Sequence, residues 1–293
     1  MTSKKLLLVI GGPTASGKTK ASVEVAKHFS SDIISADARQ CFREITIGTA
    51  KPDAREMDGV NHHFVDSHSI FDSFSAGEFA ESASQLIPKL FQSSDVIVVT
   101  GGSGLYINTL LYGIDDLPGK NDELRNELGS LYKNQGIESL QAKFQMLDEA
   151  GYKMIDTDNP QRIIRAIEIC LQSGKKYSDL INERESKPIW PFRMYSIDHD
   201  REHLYSRIEH RVDQMFNDGL VDEVKPLLKH RNLNSLQTVG YKEVFSYLDG
   251  QITLEECISL AKKNTRNYAK RQLTWFRKYP DMLLVNPDDT GTI

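Results

Sequence analysis

Cysteine is scarce in this 293-residue chain: Cys41, Cys170 and Cys257 stand far apart and are odd in number. That excludes a disulfide framework and a thiolate metal centre, and it leads us to expect a reducing, cytoplasmic setting. Long hydrophobic runs are lacking too. Nothing approaches the roughly 18 apolar residues of a membrane-spanning helix, so no membrane contact is expected. The run Leu6-Leu7-Leu8-Val9-Ile10 stops at Gly11-Gly12-Pro13 without a small-residue cleavage site, and reads as a strand, not a signal peptide. A basic excess is also missing. With 36 Lys and Arg against 41 Asp and Glu, the net charge is −5, whereas non-specific polyanion binders usually carry an excess of bases. A local basic surface stays open. There is no internal repeat and no low-complexity tract.

What is present is a hydrophobic content of 39% spread along the whole length, which rules out wholesale disorder. A chain this long favours two domains, or one domain with an insertion. Residues 6–10, 33–36 and 96–100 are continuous apolar runs bounded by Gly, Ser or Asp, as in buried parallel strands. Segments 18–29 and 76–91 suit crossover helices. The alternation predicts a doubly wound α/β core with a parallel sheet, and in such sheets ligands sit at the carboxyl ends of the strands. After Leu117-Pro118-Gly119-Lys120, segments 122–132, 136–147 and 159–173 read as amphipathic helices without intervening strands. We therefore expect a core of residues 1–118 and 192–293 with an all-helical insertion domain at 119–191. Residues 192–197 would return to the sheet, followed by helices at 201–218, 220–229 and 253–279. The polar end, 286–293, is expected to fray.

Between the first strand and the first helix lies Gly12-Pro13-Thr14-Ala15-Ser16-Gly17-Lys18-Thr19, which fits G-x-x-x-x-G-K-[ST]. In that context the octet is a P-loop, the mark of an NTPase-like core and of nucleotide or ATP binding. Glycines let backbone N–H groups turn onto a polyanion, and the helix N-terminus adds its dipole. Lys18 would reach phosphate oxygens and the Thr19 hydroxyl would hold Mg²⁺. A P-loop alone does not fix the reaction. An ATPase adds an apolar strand ending in a magnesium-binding Asp, yet strand 96–100 runs into Gly101-Gly102-Ser103-Gly104. Strand 33–36 does end in an acid, Asp37, which would project toward the phosphate site as a metal ligand, a general base or a turn-forming Asp.

Further along, the stretch from Lys262 to Lys278 carries seven bases and no acid. On a helix, Lys263, Arg266, Lys270 and Arg277 fall within about 60° of one another, opposite Leu254, Ile258, Ala261, Tyr268 and Phe276. That is a cationic stripe over a buried face. Arg207 and Arg211 lie one turn apart, in register for a diphosphate or RNA, and Arg162 and Arg165 share a face by i,i+3 spacing. Asn61-His62-His63 with Asp66 invites a metal reading. Adjacent histidines on an extended segment point to opposite sides, however, and no metal is expected there.

Taken together, these segments resemble the tRNA dimethylallyltransferases, also called tRNA isopentenyltransferases. The resemblance rests on Gly12 to Thr19, Ser35-Ala36-Asp37 with Gln40, Ile47-Gly48-Thr49-Ala50-Lys51-Pro52, Gly101-Gly102-Ser103-Gly104-Leu105-Tyr106, Asn159-Pro160-Gln161-Arg162, Arg207 to Arg211, Val239-Gly240-Tyr241 and Lys270-Arg271-Gln272 to Trp275. These run in family order over nearly the whole chain. The family moves a five-carbon allyl group from dimethylallyl diphosphate to the exocyclic amine of the adenosine 3′ to the anticodon.

The resemblance implies that Asp37 is the base for the adenine amine, and that Lys18, Arg211 and Thr19 with Mg²⁺ stabilise the departing diphosphate. A diphosphate leaving group needs no hydrolytic carboxylate, which accounts for the glycines after Thr100. It further implies tRNA contacts, through the anticodon stem-loop, at Asp37, Ala38, Arg39 and Gln40, at Ser103, at Arg125, at Gln161, Arg162, Ile163, Ile164 and Arg165, and along Lys263, Arg266, Lys270 and Arg271. Ser103 stands where the family usually has Thr, and would bond the target nucleotide or Asp37. Ala38 replaces a usual Ser, Phe42 a usual Tyr, Glu44-Ile45-Thr46 a usual Gly-Met-Asp, and Gln237 a common Arg. A monomer with no protein partner is expected. Two competing readings are a P-loop kinase for a small metabolite, with 119–191 as its lid, and an NTP-dependent RNA-binding switch. The missing strand-end carboxylate speaks against ATP turnover in either.

Overall fold

Strands without polar alternation need cover on both faces, and the computed structural model of the chain supplies it. It describes residues 5–114, 117–181, 187–287 and 293. Six strands, β1 (Leu6–Gly11), β2 (Ile33–Ser35), β3 (His62–His63), β4 (Val96–Gly101), β5 (Phe192–Ile197) and β6 (Leu283–Val285), form one sheet in the order β3-β2-β4-β1-β5-β6. Every pairing is parallel. β1 is central, with Val9 opposite Val99 on one side and Met194 on the other.

Leu8, Ile10, Ile33 and Val98 pack on one face against Ala21, Val25 and Ala26 of α1 (Lys18–His28). A short α2 (Ala54–Met57) is closed by an Asp53–Glu56 capping box. On the other face Leu7, Val9, Ile97 and Val99 meet Phe79, Ala83 and Ile87 of α3 (Ala76–Leu90) and Ile107 and Leu110 of α4 (Gly104–Tyr112).

The described residues divide into two compact units, Met1–Gly113 with Pro188–Ile293, and Ile114–Lys187. The second is all helical, with α5 (Asp122–Gln135), α6 (Ile137–Leu147), α7 (Glu149–Met154), α8 (Pro160–Ser173) and α9 (Tyr177–Ile181). Leu128, Leu140, Phe144, Ile163 and Ile167 form its core. α8 begins where expected: the Asn159 side chain accepts the N–H groups of Gln161 and Arg162, and Pro160 occupies the first turn.

The first unit continues with α10 (Arg201–Asn217), α11 (Leu220–Val224), α12 (Tyr241–Leu248) and α13 (Leu254–Phe276). The single helix expected over 220–229 is instead α11 followed by a 3-10 helix, Lys225–His230. Pro226 explains the change, because it has no N–H to continue the α-helical ladder. The three cysteines are buried free thiols. No helix among the described residues is long and apolar enough to cross a membrane. Most of the expected polar end lies outside the described residues.

Candidate active site

β1 ends at Gly11, and the octet after it leads into α1. Ala15 and Gly17 both take left-handed backbone, with φ of 64° and 93°. Such turns make successive N–H groups converge into an anion nest. Gly17 does so without steric cost, whereas Ala15 carries strain of the kind that clusters at ligand sites. Two side chains brace the loop: Arg207 Nε donates to Ala15 O at 2.7 Å, and His199 Nε2 lies 2.8 Å from Ser16 O. Lys18 Nζ donates to Pro13 O at 2.5 Å. Burial, then the Arg211 guanidinium, lowers the Lys18 pKa to about 7, against an opposing pull from Asp37. Arg211 is likewise pushed down by burial and by Arg207, with Glu56 pulling the other way. The loop is thus short of negative charge, an arrangement suited to a polyanion.

Asp37 follows β2. Its Oδ1 accepts the N–H groups of Arg39 at 2.9 Å and Gln40 at 3.3 Å, an Asx turn that fixes the carboxyl group. Asp37, Arg39, Gln40, Lys18, Thr19 and Arg211 line one cavity of about 300 Å³, together with Tyr268 and Gln272 of α13. Ser103 Oγ accepts the Ala38 N–H at 2.9 Å, so it holds the backbone beside Asp37. It also hydrogen-bonds the Tyr268 hydroxyl, whose pKa burial raises to about 12.

Gln272 was not legible as a site residue, because it sits in a sequence of bases. It is buried, accepts the Thr14 N–H on Oε1 at 2.9 Å, and donates from Nε2 to Gly102 O at 2.9 Å. A Cβ on Gly102 would collide with the Gln272 amide nitrogen, so any side chain there would displace that amide from its bond to the Gly102 carbonyl.

The cavity rim at 46–50 is fixed by another residue that the sequence did not reveal. Glu223 of α11 accepts the N–H groups of Thr46, Ile47 and Gly48 at 2.9, 2.7 and 3.1 Å, and the Tyr241 hydroxyl at 2.5 Å. Gln40 Nε2 donates to the carbonyls of Thr49 and Ala50. Lys51, almost fully buried, donates to Phe42 O and pairs with Asp66. These contacts give the Ile47 to Pro52 motif a structural basis. Glu44, one of the departures from the family pattern, bonds Ser69 Oγ and the Ile70 N–H.

The cationic stripe on α13 differs from its helical projection. Arg266 pairs with Glu209 and Lys262 with Asp213, at 2.7 Å, both acids lying on α10. Lys263, Lys270 and Arg271 are exposed and have no ion-pair partner among the described residues. Leu254, placed by the projection on the buried face, is 37% exposed, and Gln272 takes part in that face instead.

In the helical unit, Arg125 grips the fully buried Glu168 with two bonds of 2.9 Å. Arg165 adds a third at 2.6 Å and donates to Pro118 O at 2.7 Å. Gln161 and Arg162 stand at the start of α8, Ile163 is buried in the core, and Ile164 packs against it. The histidines face separate partners: His63 Nε2 lies 2.7 Å from Asp32, and His62 Nδ1 lies 2.9 Å from Val60 O. No group of three or more His, Cys, Asp or Glu poised for a metal occurs among the described residues.

A parallel sheet with the octet at the end of its central strand, interrupted by a helical unit, defines a P-loop α/β protein. Comparison with known proteins narrows this further. The model of the IPP transferase family matches residues 40–279. The chain is 48% identical to a tRNA dimethylallyltransferase of Christiangramia forsetii, covering 97% of this chain and 94% of that one. It is 43% identical to a tRNA dimethylallyltransferase of Flavobacterium johnsoniae, covering 94% and 91%. Among solved structures, the tRNA isopentenylpyrophosphate transferase of Bacillus halodurans is similar with a TM-score of 0.72 and 37% identity, over 97% of this chain and 90% of that one. A eukaryotic dimethylallyltransferase acting on tRNA reaches 0.83 at 25% identity, over 98% and 75%. The chain belongs to the IPP transferase family.

Proposed function

We propose that the protein transfers a dimethylallyl group from dimethylallyl diphosphate to the N6 amine of the adenosine 3′-adjacent to the anticodon in tRNA, releasing diphosphate. The observation that carries this reading is one cavity holding a fixed carboxylate, Asp37, and a nest of backbone N–H groups with Lys18 and Arg211. The amine nitrogen attacks the allylic carbon, the C–O bond breaks, Asp37 takes the N–H proton, and diphosphate leaves with the bonding pair. Negative charge grows on the diphosphate in the transition state, where prepositioned donors and cations are most effective. The Thr19 hydroxyl offers a hard oxygen donor on the same cavity, which fits Mg²⁺ held by one protein oxygen together with substrate phosphates and water. Bound there, Mg²⁺ would neutralise charge on the leaving group.

For the RNA we assign Lys263, Lys270 and Arg271 to phosphate contacts and Gln161 and Arg162 to the target loop, while Arg125 and Arg165 hold Glu168. The kinase alternative is not favoured: β4 runs into Gly101, and the relatives are named as transferases acting on tRNA. Incubation with Mg²⁺, dimethylallyl diphosphate and an unmodified anticodon stem-loop should add one dimethylallyl mass to the RNA. Unchanged RNA together with robust ATP hydrolysis would sink the proposal.

A further inference from the structure

The two ends of the cavity differ in hydrogen-bonding character. At the loop end, Pro13 has no N–H and that of Thr14 is taken by Gln272 Oε1, so the row of donors open to an anion begins at Ala15 and runs to Thr19. Lys18, Arg207 and Arg211 stand on that side. At the other end stand Asp37, whose carboxylate only accepts, with Arg39 and Tyr268 beside it, and the Gln272 amide, already bonded at both its polar atoms. In a P-loop the backbone N–H groups cradle the two inner phosphates, and the lysine reaches on toward the outermost one.

We infer that Gln272 sets the length of polyanion this loop accepts. By capping the Thr14 N–H, it shortens the backbone donor row by one group and disfavours a third phosphate. A third phosphate beyond that row would meet the Gln272 amide oxygen, an acceptor, where a free Thr14 N–H would otherwise donate. An uncharged allyl group and an amine, which needs an acceptor, suit that end. Gln272 is therefore a specificity-determining residue, and its two bonds explain why a neutral amide stands in a helix otherwise rich in Lys and Arg. This inference rests on the proposed diphosphate site.

The test is calorimetric binding of inorganic diphosphate and inorganic tripolyphosphate, at saturating Mg²⁺, to the wild-type chain and to Gln272→Met, which keeps the volume and frees the Thr14 N–H. Wild-type protein should prefer diphosphate by about tenfold or more, the worth of one charge-assisted hydrogen bond. Gln272→Met should narrow the preference to about threefold by gaining affinity for tripolyphosphate. Equal binding of both anions by wild-type protein overturns the inference while leaving the diphosphate site standing, and needs no variant. Failure of both anions to bind overturns the site itself. An undiminished preference in a Gln272→Met protein that melts like wild type also overturns the inference.

Discussion

Lys18 allows a quantitative test of how the loop is prepared for its ligand. With a pKa near 7, where an ordinary lysine has 10.5, it is about half protonated at pH 7 and about one tenth at pH 8. A bound diphosphate raises it again, so binding at pH 8 takes up about 0.9 of a proton at this residue. Affinity must then fall as pH rises: about fivefold between pH 7 and 8 and about tenfold between pH 8 and 9, until the pKa of the complex is reached. The sign for folding of the ligand-free protein is opposite. Between pH 7 and 10.5 the unfolded chain holds more protons on Lys18 than the folded one, so this group makes the empty protein more stable as pH rises through that window. The assay is titration of dimethylallyl diphosphate by calorimetry at pH 8 in buffers of different ionisation enthalpy. Lys18→Met serves as the reference that cancels other groups. Wild type should show about 0.9 proton more uptake than the variant. Equal uptake, or an affinity that stays flat from pH 7 to 9, would refute the argument that burial and Arg211 hold Lys18 near neutrality.

Three other outcomes follow from particular contacts. Asp37→Ala should lower the single-turnover rate by about 10² to 10⁴, with binding of dimethylallyl diphosphate largely kept; an unchanged rate removes Asp37 as the base. Replacing Lys263, Lys270 and Arg271 by Ala should reduce the slope of log affinity for tRNA against log salt by about 2 to 3, at 0.7 to 0.9 per phosphate contact, and an unchanged slope would place the RNA elsewhere. Glu168→Ala, which strands Arg125 and Arg165, should cost about 3 kcal/mol in urea unfolding of the helical unit, and a loss below about 1 kcal/mol would mean that the buried ion pairs matter little.

The central strands were legible because residues 6–10, 33–36 and 96–100 are apolar runs, and because residues 192–197, though they include Arg193 and Ser196, follow directly on the break at Pro191. β3 and β6 were not, since His62-His63 reads as polar, and Leu283 to Val285 is a run of three next to a polar end expected to fray. The loop and Asp37 could be found because motif and strand end specify them locally. Gln272 and Glu223 act across separations of 258 and about 176 residues, and only the folded chain brings them to Thr14 and Ile47. Helical projection correctly drew α13 as a two-sided helix. It could not foresee Glu209 and Asp213, since counterions on a neighbouring helix leave no trace in the helix itself.

Two rows of backbone N–H groups therefore lie in or next to the cavity lining, the second reaching it at Gly48, and the protein treats them differently. The row at Thr46, Ile47 and Gly48 is neutralised permanently by Glu223. The row from Ala15 to Thr19 is left for a ligand, with a partly discharged lysine beside it. A bound anion would meet both the N–H groups of that row and the charge of Lys18 and Arg211. At a ligand concentration one hundred times Kd, occupancy adds about 2.7 kcal/mol to stability by mass action. By this linkage the stability of the folded chain rises with the concentration of the anion it binds, so that its melting temperature reports ligand supply as directly as its turnover does.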